Sequence, residues 1–220
     1  MEFKVYPKKK SPRVFKSKLM ESLTKSNIVV IDALYIVVGF LLVVTYWVNF
    51  KPTVLDICLW FVFGLVSWSF FEYFLHRFLY HKIKDASYDT GFQYLFHGIH
   101  HKYPHDNDRL VLPVVPSLIL AALFLSVFYL VLKEEALVYG AGFLIGYLIY
   151  INIHWMVHKK TMSKGKLKSW WWKHHNIHHY QQPDKAFGVS SPVWDILFGT
   201  MPIKGRKTVT ILVDKKKTET

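Results

Sequence analysis

Eleven of the twelve histidines fall in four clusters: HRFLYH (76–81), HGIHH (97–101), HWMVH (154–158) and HHNIHH (174–179). Side chains three or four apart share a helix face, so His97 with His100 and His101, His154 with His158, and His175 with His178 and His179 can each converge on an ion. His76 and His81, five apart, sit on different faces of a regular helix. They need a helix end, a distortion, or two separate ions between them. Neutral imidazole suits iron, zinc and copper, and no carboxylate cluster or second cysteine beside Cys58 competes for the role. Some ten imidazoles exceed the three or four protein ligands that one zinc ion takes, so two ions are the natural count. Two copies of HxxHH beside HxxxH and HxxxxH set this pattern apart from scattered surface histidines, whereas His105 alone reads as well as plain surface.

Something must carry these clusters, and the chain supplies four apolar stretches: Ile28 to Val48, Val54 to Leu75, Val114 to Leu132 and Leu137 to Ile153. Each approaches the 17 to 25 residues that a hydrocarbon core requires. None has the polar face of a helix in a soluble bundle, and 52% of the chain is apolar. Asp32, Asp56 and Glu72 lie near segment ends, where a charge is expected to reach water. Four spans would put 26 of the 28 lysines and arginines on one side, which the positive-inside rule makes cytoplasmic together with both termini. Every histidine cluster then lies at or beyond a cytoplasmic helix end.

The expected fold is an all-α integral membrane protein, with four transmembrane helices in two hairpins under a histidine-rich helical cap that holds two metal ions. Residues 1–27 form a basic cytoplasmic arm, 28–205 the membrane domain, and 206–220 a basic tail. Thr208 to Val213 alternates weakly, as a short strand or an extended end. The net charge of +13 resides in membrane-flanking runs such as Lys8-Lys9-Lys10 and Lys215-Lys216-Lys217, which favours anionic lipid over nucleic acid as the partner. A lone cysteine excludes an internal disulfide. A metal transporter would place its ligands near the bilayer midplane, where this chain is nearly free of ionisable residues. A metal-dependent hydrolase remains open, although histidine-only ligation suits O₂ chemistry better.

The order HRFLYH, HGIHHKYPHDNDRLVLP, HWMVH and HHNIHH, closing on FGVSSPVWDILFGT (187–200), resembles the fatty acid hydroxylase superfamily, and within it the fatty acid and sphingolipid 2-hydroxylase branch. By position, the resemblance makes His76, His81, His97, His100, His101, His154, His158, His175, His178 and His179 the metal ligands. His174 and His105 are extra to the pattern: His174 exchanges with His175 under a one-residue slip or backs the ligands, and His105 either backs the ligands or is plain surface. Asp106, Asp108 and Arg109 either orient ligands, meet a polar headgroup or form a solvated loop; Asp195 either backs the ligands or simply packs. The implied activity is oxygen-dependent hydroxylation of a fatty acyl chain, with a sterol or other lipid desaturase or oxidase as the runner-up. The implied cofactors are two metal ions, iron for catalysis or zinc, together with O₂. Some relatives carry a fused cytochrome b5 domain. Only 27 residues precede the first span here, with no haem-binding pattern. Electrons are therefore expected from a separate protein, whether b5-like, ferredoxin or reductase. The expected location is a bacterial inner membrane or the endoplasmic reticulum.

Overall fold

The computed structural model describes residues 3–6, 10–81, 91, 93–162 and 165–211. Lys8, Lys9 and Lys215 to Lys217 lie outside the described residues.

A short strand β1 (Phe3–Val5) and helix α1 (Lys18–Ser22) precede two long helices, α2 (Ile28–Phe50) and α3 (Val54–Phe74). Asn27 caps α2 through a 2.9 Å bond from the Val29 amide, and Thr53 with Asp56 closes a reciprocal capping box on α3. The link between them is three residues long and turns at Lys51, whose φ of 48° lies in the left-handed region. Beyond α3 come a π-helical turn (Leu75–Tyr80), a second one (Tyr94–Gly98) that runs into α4 (Ile99–Lys102), and a 3₁₀ turn (Asn107–Arg109). The second pair of long helices, α5 (Val114–Leu132) and α6 (Ala136–Lys159), is joined by a 3₁₀ turn that starts at Lys133, with φ 53°. Helices α7 (Lys166–Tyr180) and α8 (Val193–Leu197) and strand β2 (Val209–Ile211) complete the chain.

Among the described residues, three stretches are long and apolar enough to cross a membrane: Ile28–Phe50, Val54–Tyr80 and Asn107–Lys159. The last has 53 residues and would be roughly 80 Å long as one straight helix, far more than a bilayer core. It is folded back on itself. Phe128 packs on Tyr139 at 4.8 Å and Phe124 on Phe143 at 5.2 Å, which makes α5 and α6 an antiparallel hairpin. The outer faces are apolar: Val29, Phe40, Leu55, Leu130 and Val131 are each at least 65% exposed, as residues facing lipid would be. The chain is an integral membrane protein.

Helix α6 is the central element, with fifteen buried residues against four or fewer in each of the other long helices. Glycines let it approach α3 closely. A Cβ at Gly142 would stand 2.0 Å from the Phe61 carbonyl oxygen, and one at Gly64 would stand 1.9 Å from that of Tyr139. Across α2, Ile31 and Tyr35 join Leu144, Leu148 and Ile151 in one core, and Asn152 donates to Asp32 at 2.9 Å.

One element departs from an all-helical expectation. β1 and β2 pair in parallel, Phe3 opposite Val209 and Val5 opposite Ile211. β2 falls within the weakly alternating stretch from Thr208 to Val213, whereas the three residues of β1 are too few to carry a periodicity, so tertiary pairing defines that strand.

Candidate metal centre

The π-helical turn resolves the five-residue spacing of the first cluster. Its i to i+5 hydrogen bond, from the His81 amide to the His76 carbonyl at 3.2 Å, puts both imidazoles on one face with their Nε2 atoms 3.2 Å apart. Such turns recur where a helix must re-aim side chains. His97 lies in the second π-helical turn, which runs into α4 with His100 and His101, whereas HWMVH and HHNIHH use ordinary helical spacing on α6 and α7.

Ten histidines collect into two groups of five: His76, His81, His97, His101 and His178 in the first, and His100, His154, His158, His175 and His179 in the second. Within each group the ligand-capable nitrogens all lie within 4.8 Å of one another. The clusters do not map one to one onto the groups. In HGIHH the i, i+4 pair His97 and His101 enters the first group and His100 the second; in HHNIHH His175 and His179 enter the second and His178 the first. The expectation that His97, His100 and His101 converge together is corrected by this split, as is that for His175, His178 and His179. Side chains at i+3 and i+4 diverge by about 100° on a helix, enough to serve neighbouring ions. The rings of His101 and His179 stack at 4.0 Å where the groups meet.

The donor set fits metal. His76 donates its Nδ1–H to the Phe187 carbonyl at 2.5 Å and His178 to that of Lys185 at 2.6 Å, so in the neutral rings each Nε2 carries a lone pair. Those lone pairs point at other histidines: His178 Nε2 stands 3.0 Å from His81 and 3.1 Å from His101, and His76 Nε2 stands 3.0 Å from His97. Two ligands held at right angles, each about 2.0–2.1 Å from an ion, are about 3 Å apart. In the second group the buried Nε2 of His154 has no hydrogen-bond partner. Burial first, and the neighbouring imidazoles second, hold His81, His97, His100, His101, His175 and His179 well below the ordinary histidine pKa. Burial does the same for His178. Neutral imidazole is the form that binds metal.

A family model for fatty acid hydroxylases matches residues 61–200, well over half of the chain and all four histidine clusters. The chain belongs to the fatty acid hydroxylase family. It is 39% identical to the dihydroceramide fatty acyl 2-hydroxylase FAH1 of Arabidopsis thaliana over 64% of this chain and 60% of that one. To the FAH2 enzyme of the same plant it is 33% identical over 87% of this chain and 80% of that one, and to rat fatty acid 2-hydroxylase 35% identical over 64% and 39%. The solved structure of full-length scs7p, with only its hydroxylase domain visible, superposes with a TM-score of 0.80 at 30% identity, covering 92% of this chain and 76% of that one. The chain thus spans less than two thirds of FAH1 and of the rat enzyme.

Around the two groups, the other residues singled out in this sequence take distinct places. His174 joins neither group: its Nε2 lies 3.0 Å from Asp195 Oδ2 and its ring stacks on Trp170. Asp195, fully buried, also accepts from the amides of Phe187 at 2.9 Å and Gly188 at 2.8 Å and from the Thr200 hydroxyl at 2.7 Å. His105 bonds through Nδ1 to the backbone carbonyl of His158 at 3.0 Å. Arg109 lines the cleft that His97, His100 and His154 also line, and both Asp106 and Arg109 bond to the N-terminal arm. Asp106 accepts from the backbone and hydroxyl of Ser11, and Arg109 donates to Glu21 at 2.6 Å and to Thr24 at 3.1 Å, so together they pin the N-terminal arm to the loop after HGIHH. Asp108, the other acid of that loop, pairs with Lys25 at 3.2 Å.

Glu72 overturns its expected place. It does not reach water but is 3% exposed, and its carboxylate accepts from the amides of Val189 at 2.6 Å and Ser190 at 2.9 Å and from the Ser190 hydroxyl at 2.5 Å. Its position one helical turn before His76 was the only available signal.

A cleft reaches the histidines and adjoins a second, apolar cavity. The cleft, lined by Glu72, Phe96, His97, His100 and His154, touches both groups, and shares Trp68, Leu75, Tyr80, Leu112 and Tyr147 with the apolar cavity, which continues between the helices to Tyr35, Leu120, Phe124 and Phe143.

Proposed function

We propose that the chain is an oxygen-dependent hydroxylase that puts a hydroxyl group on carbon 2 of a fatty acyl chain, free or in a sphingolipid. The observation that carries this reading is the cleft lined by residues of both histidine groups, which shares five lining residues with an apolar cavity between the helices. An acyl tail enters such a cavity from the bilayer, and its carbonyl end reaches the histidines. The likeness to enzymes named as fatty acyl 2-hydroxylases selects the carbon.

His76, His81, His97, His101 and His178 would hold one ion and His100, His154, His158, His175 and His179 the other. Iron, favoured over zinc because it changes oxidation state, would supply the redox chemistry that turns a C–H bond, O₂, two electrons and two protons into an alcohol and water. The electrons come from a separate carrier protein. The chain's own share is to hold the target methylene against the metal pair and to keep water out. Trp68, Tyr80 and Tyr147 line both cavities and set the neck through which the acyl chain passes. In this reading the four long helices each cross the membrane, with the histidine cap and both termini cytoplasmic. Reporter fusions at Lys51 and Lys133 should both read as non-cytoplasmic; a cytoplasmic signal from either would contradict the topology.

Mass spectrometry of membrane lipids from cells with and without the protein tests the reaction. The expected product is an acyl fragment heavier by one oxygen at its second carbon. Loss of two hydrogens, or an altered sterol beside unchanged acyl chains, would replace this reading with desaturation or sterol oxidation.

A further inference from the structure

Four consecutive backbone amides, Phe187 to Ser190, are all taken by two buried carboxylates from different elements. Asp195 of α8 accepts from Phe187 and Gly188, and Glu72 of α3 accepts from Val189 and Ser190. Carbonyls of the strap, and that of Lys185 two residues before it, accept from other side chains. Phe187 accepts from His76 Nδ1 at 2.5 Å, Lys185 from His178 Nδ1 at 2.6 Å, and Ser190 from the Trp171 indole at 3.1 Å. Both of these histidines belong to one group. In the other group, the buried Nδ1 atoms of His100, His175 and His179 have no hydrogen-bond partner.

We propose that Glu72 is a positioning residue for one metal site only: by clamping the strap, it fixes the carbonyls that aim His76 and His178 at the ion of their group. This rests on the reading that each histidine group holds an ion. The clamp works through geometry. By accepting from Val189 and Ser190, Glu72 fixes the two peptides that follow the one bearing the Phe187 carbonyl, whose own N–H, that of Gly188, is held by Asp195. A carbonyl held in place fixes the ring and tautomer of the imidazole that donates to it. Asp195 holds the first half of the strap and Glu72 the second. Asp195 sits in the chain beside the strap, whereas Glu72 comes from the membrane helix that also bears His76, so it locks strap and helix together.

Metal-free full-length protein in detergent, titrated with Zn²⁺ against a chromophoric chelator, tests this without recourse to activity. The wild type should take up two ions. Glu72→Ala should keep one at wild-type affinity and bind the other about 10–100-fold more weakly, the usual loss when an orienting partner of a ligand is removed. Glu72→Gln, which keeps an oxygen for the two amides and an amide for the Ser190 hydroxyl, should recover most of that loss. Combining Glu72→Ala with His154→Ala, which disables the other group, should leave only the weakened ion. Should Glu72→Ala not fold, Ser190→Ala removes one bond of the clamp and should weaken the same single ion. Equal weakening of both ions, or unchanged affinity for both, would overturn the proposal while leaving the two-ion reading intact. Fewer than two ions in the wild type would overturn that reading and the proposal with it.

Discussion

Replacing His100 by Ala is expected to abolish hydroxylation and to remove one of two metal ions, leaving the protein folded in the membrane. His100 is 4% exposed, sits with His154, His158, His175 and His179, and lines the cleft shared with the apolar cavity. Loss of a direct ligand should exceed the roughly 100-fold that loss of an orienting partner costs. His105→Ala is the informative contrast. Its Nδ1 bonds to the His158 backbone carbonyl and its ring lies edge-on to that of His158 at 6.3 Å, outside both groups, so both ions should remain bound. Metal analysis with product quantification checks both. A His100→Ala protein with two ions and normal turnover would refute the assignment.

The second large effect concerns pH. Seven histidines outside the membrane helices have their folded-state pKa pushed well below the ordinary value of about 6.5, by burial foremost. Below that value the unfolded chain binds protons that the folded, metal-free chain refuses. Stability is therefore complete above about pH 6.5 and is lost as pH falls through it toward the folded values. Each histidine contributes a slope of up to about 1.4 kcal/mol per pH unit in that window. Bound metal requires the same neutral rings, so acid should release it as well. Thermal unfolding of metal-free protein in detergent, followed from pH 8 to pH 5, should show a steep fall in the midpoint on the acid side. Equal midpoints at the two ends would contradict the buried, neutral state of these rings.

Much of this was legible in the residue pattern, because both signals are local. Uninterrupted apolar runs needed nothing beyond bilayer thickness to be read as long helices, and spacings of three and four marked the histidines that share a face. What escaped depended on partners distant in the chain. His76 and His81 meet through a π-helical turn, and a run such as LHRFLY does not announce the extra residue per turn. The division of His97 and His101 from His100 could not be seen either, since it depends on which neighbouring helix supplies the remaining rings. Glu72 lies close enough to a helix end to suggest a solvated charge. Its burial depends on amides more than a hundred residues away. Asp106 and Arg109 likewise find Ser11, Glu21 and Thr24 across some ninety residues, a pairing that no local pattern records. His174 and His175 are neighbours in sequence, yet helical rotation sends one to Asp195 and the other to a histidine group.

The most direct test of the central claim is to follow the oxygen atom. Purified, iron-loaded protein in lipid, given a reduced electron carrier and a saturated fatty acyl substrate under ¹⁸O₂, should yield acyl chains that carry one ¹⁸O on carbon 2. The His100→Ala protein should yield none. Label-free product formed in ¹⁸O₂, or label taken up from H₂¹⁸O instead, would contradict an oxygen-activating metal pair and point to hydrolytic chemistry at the same histidines.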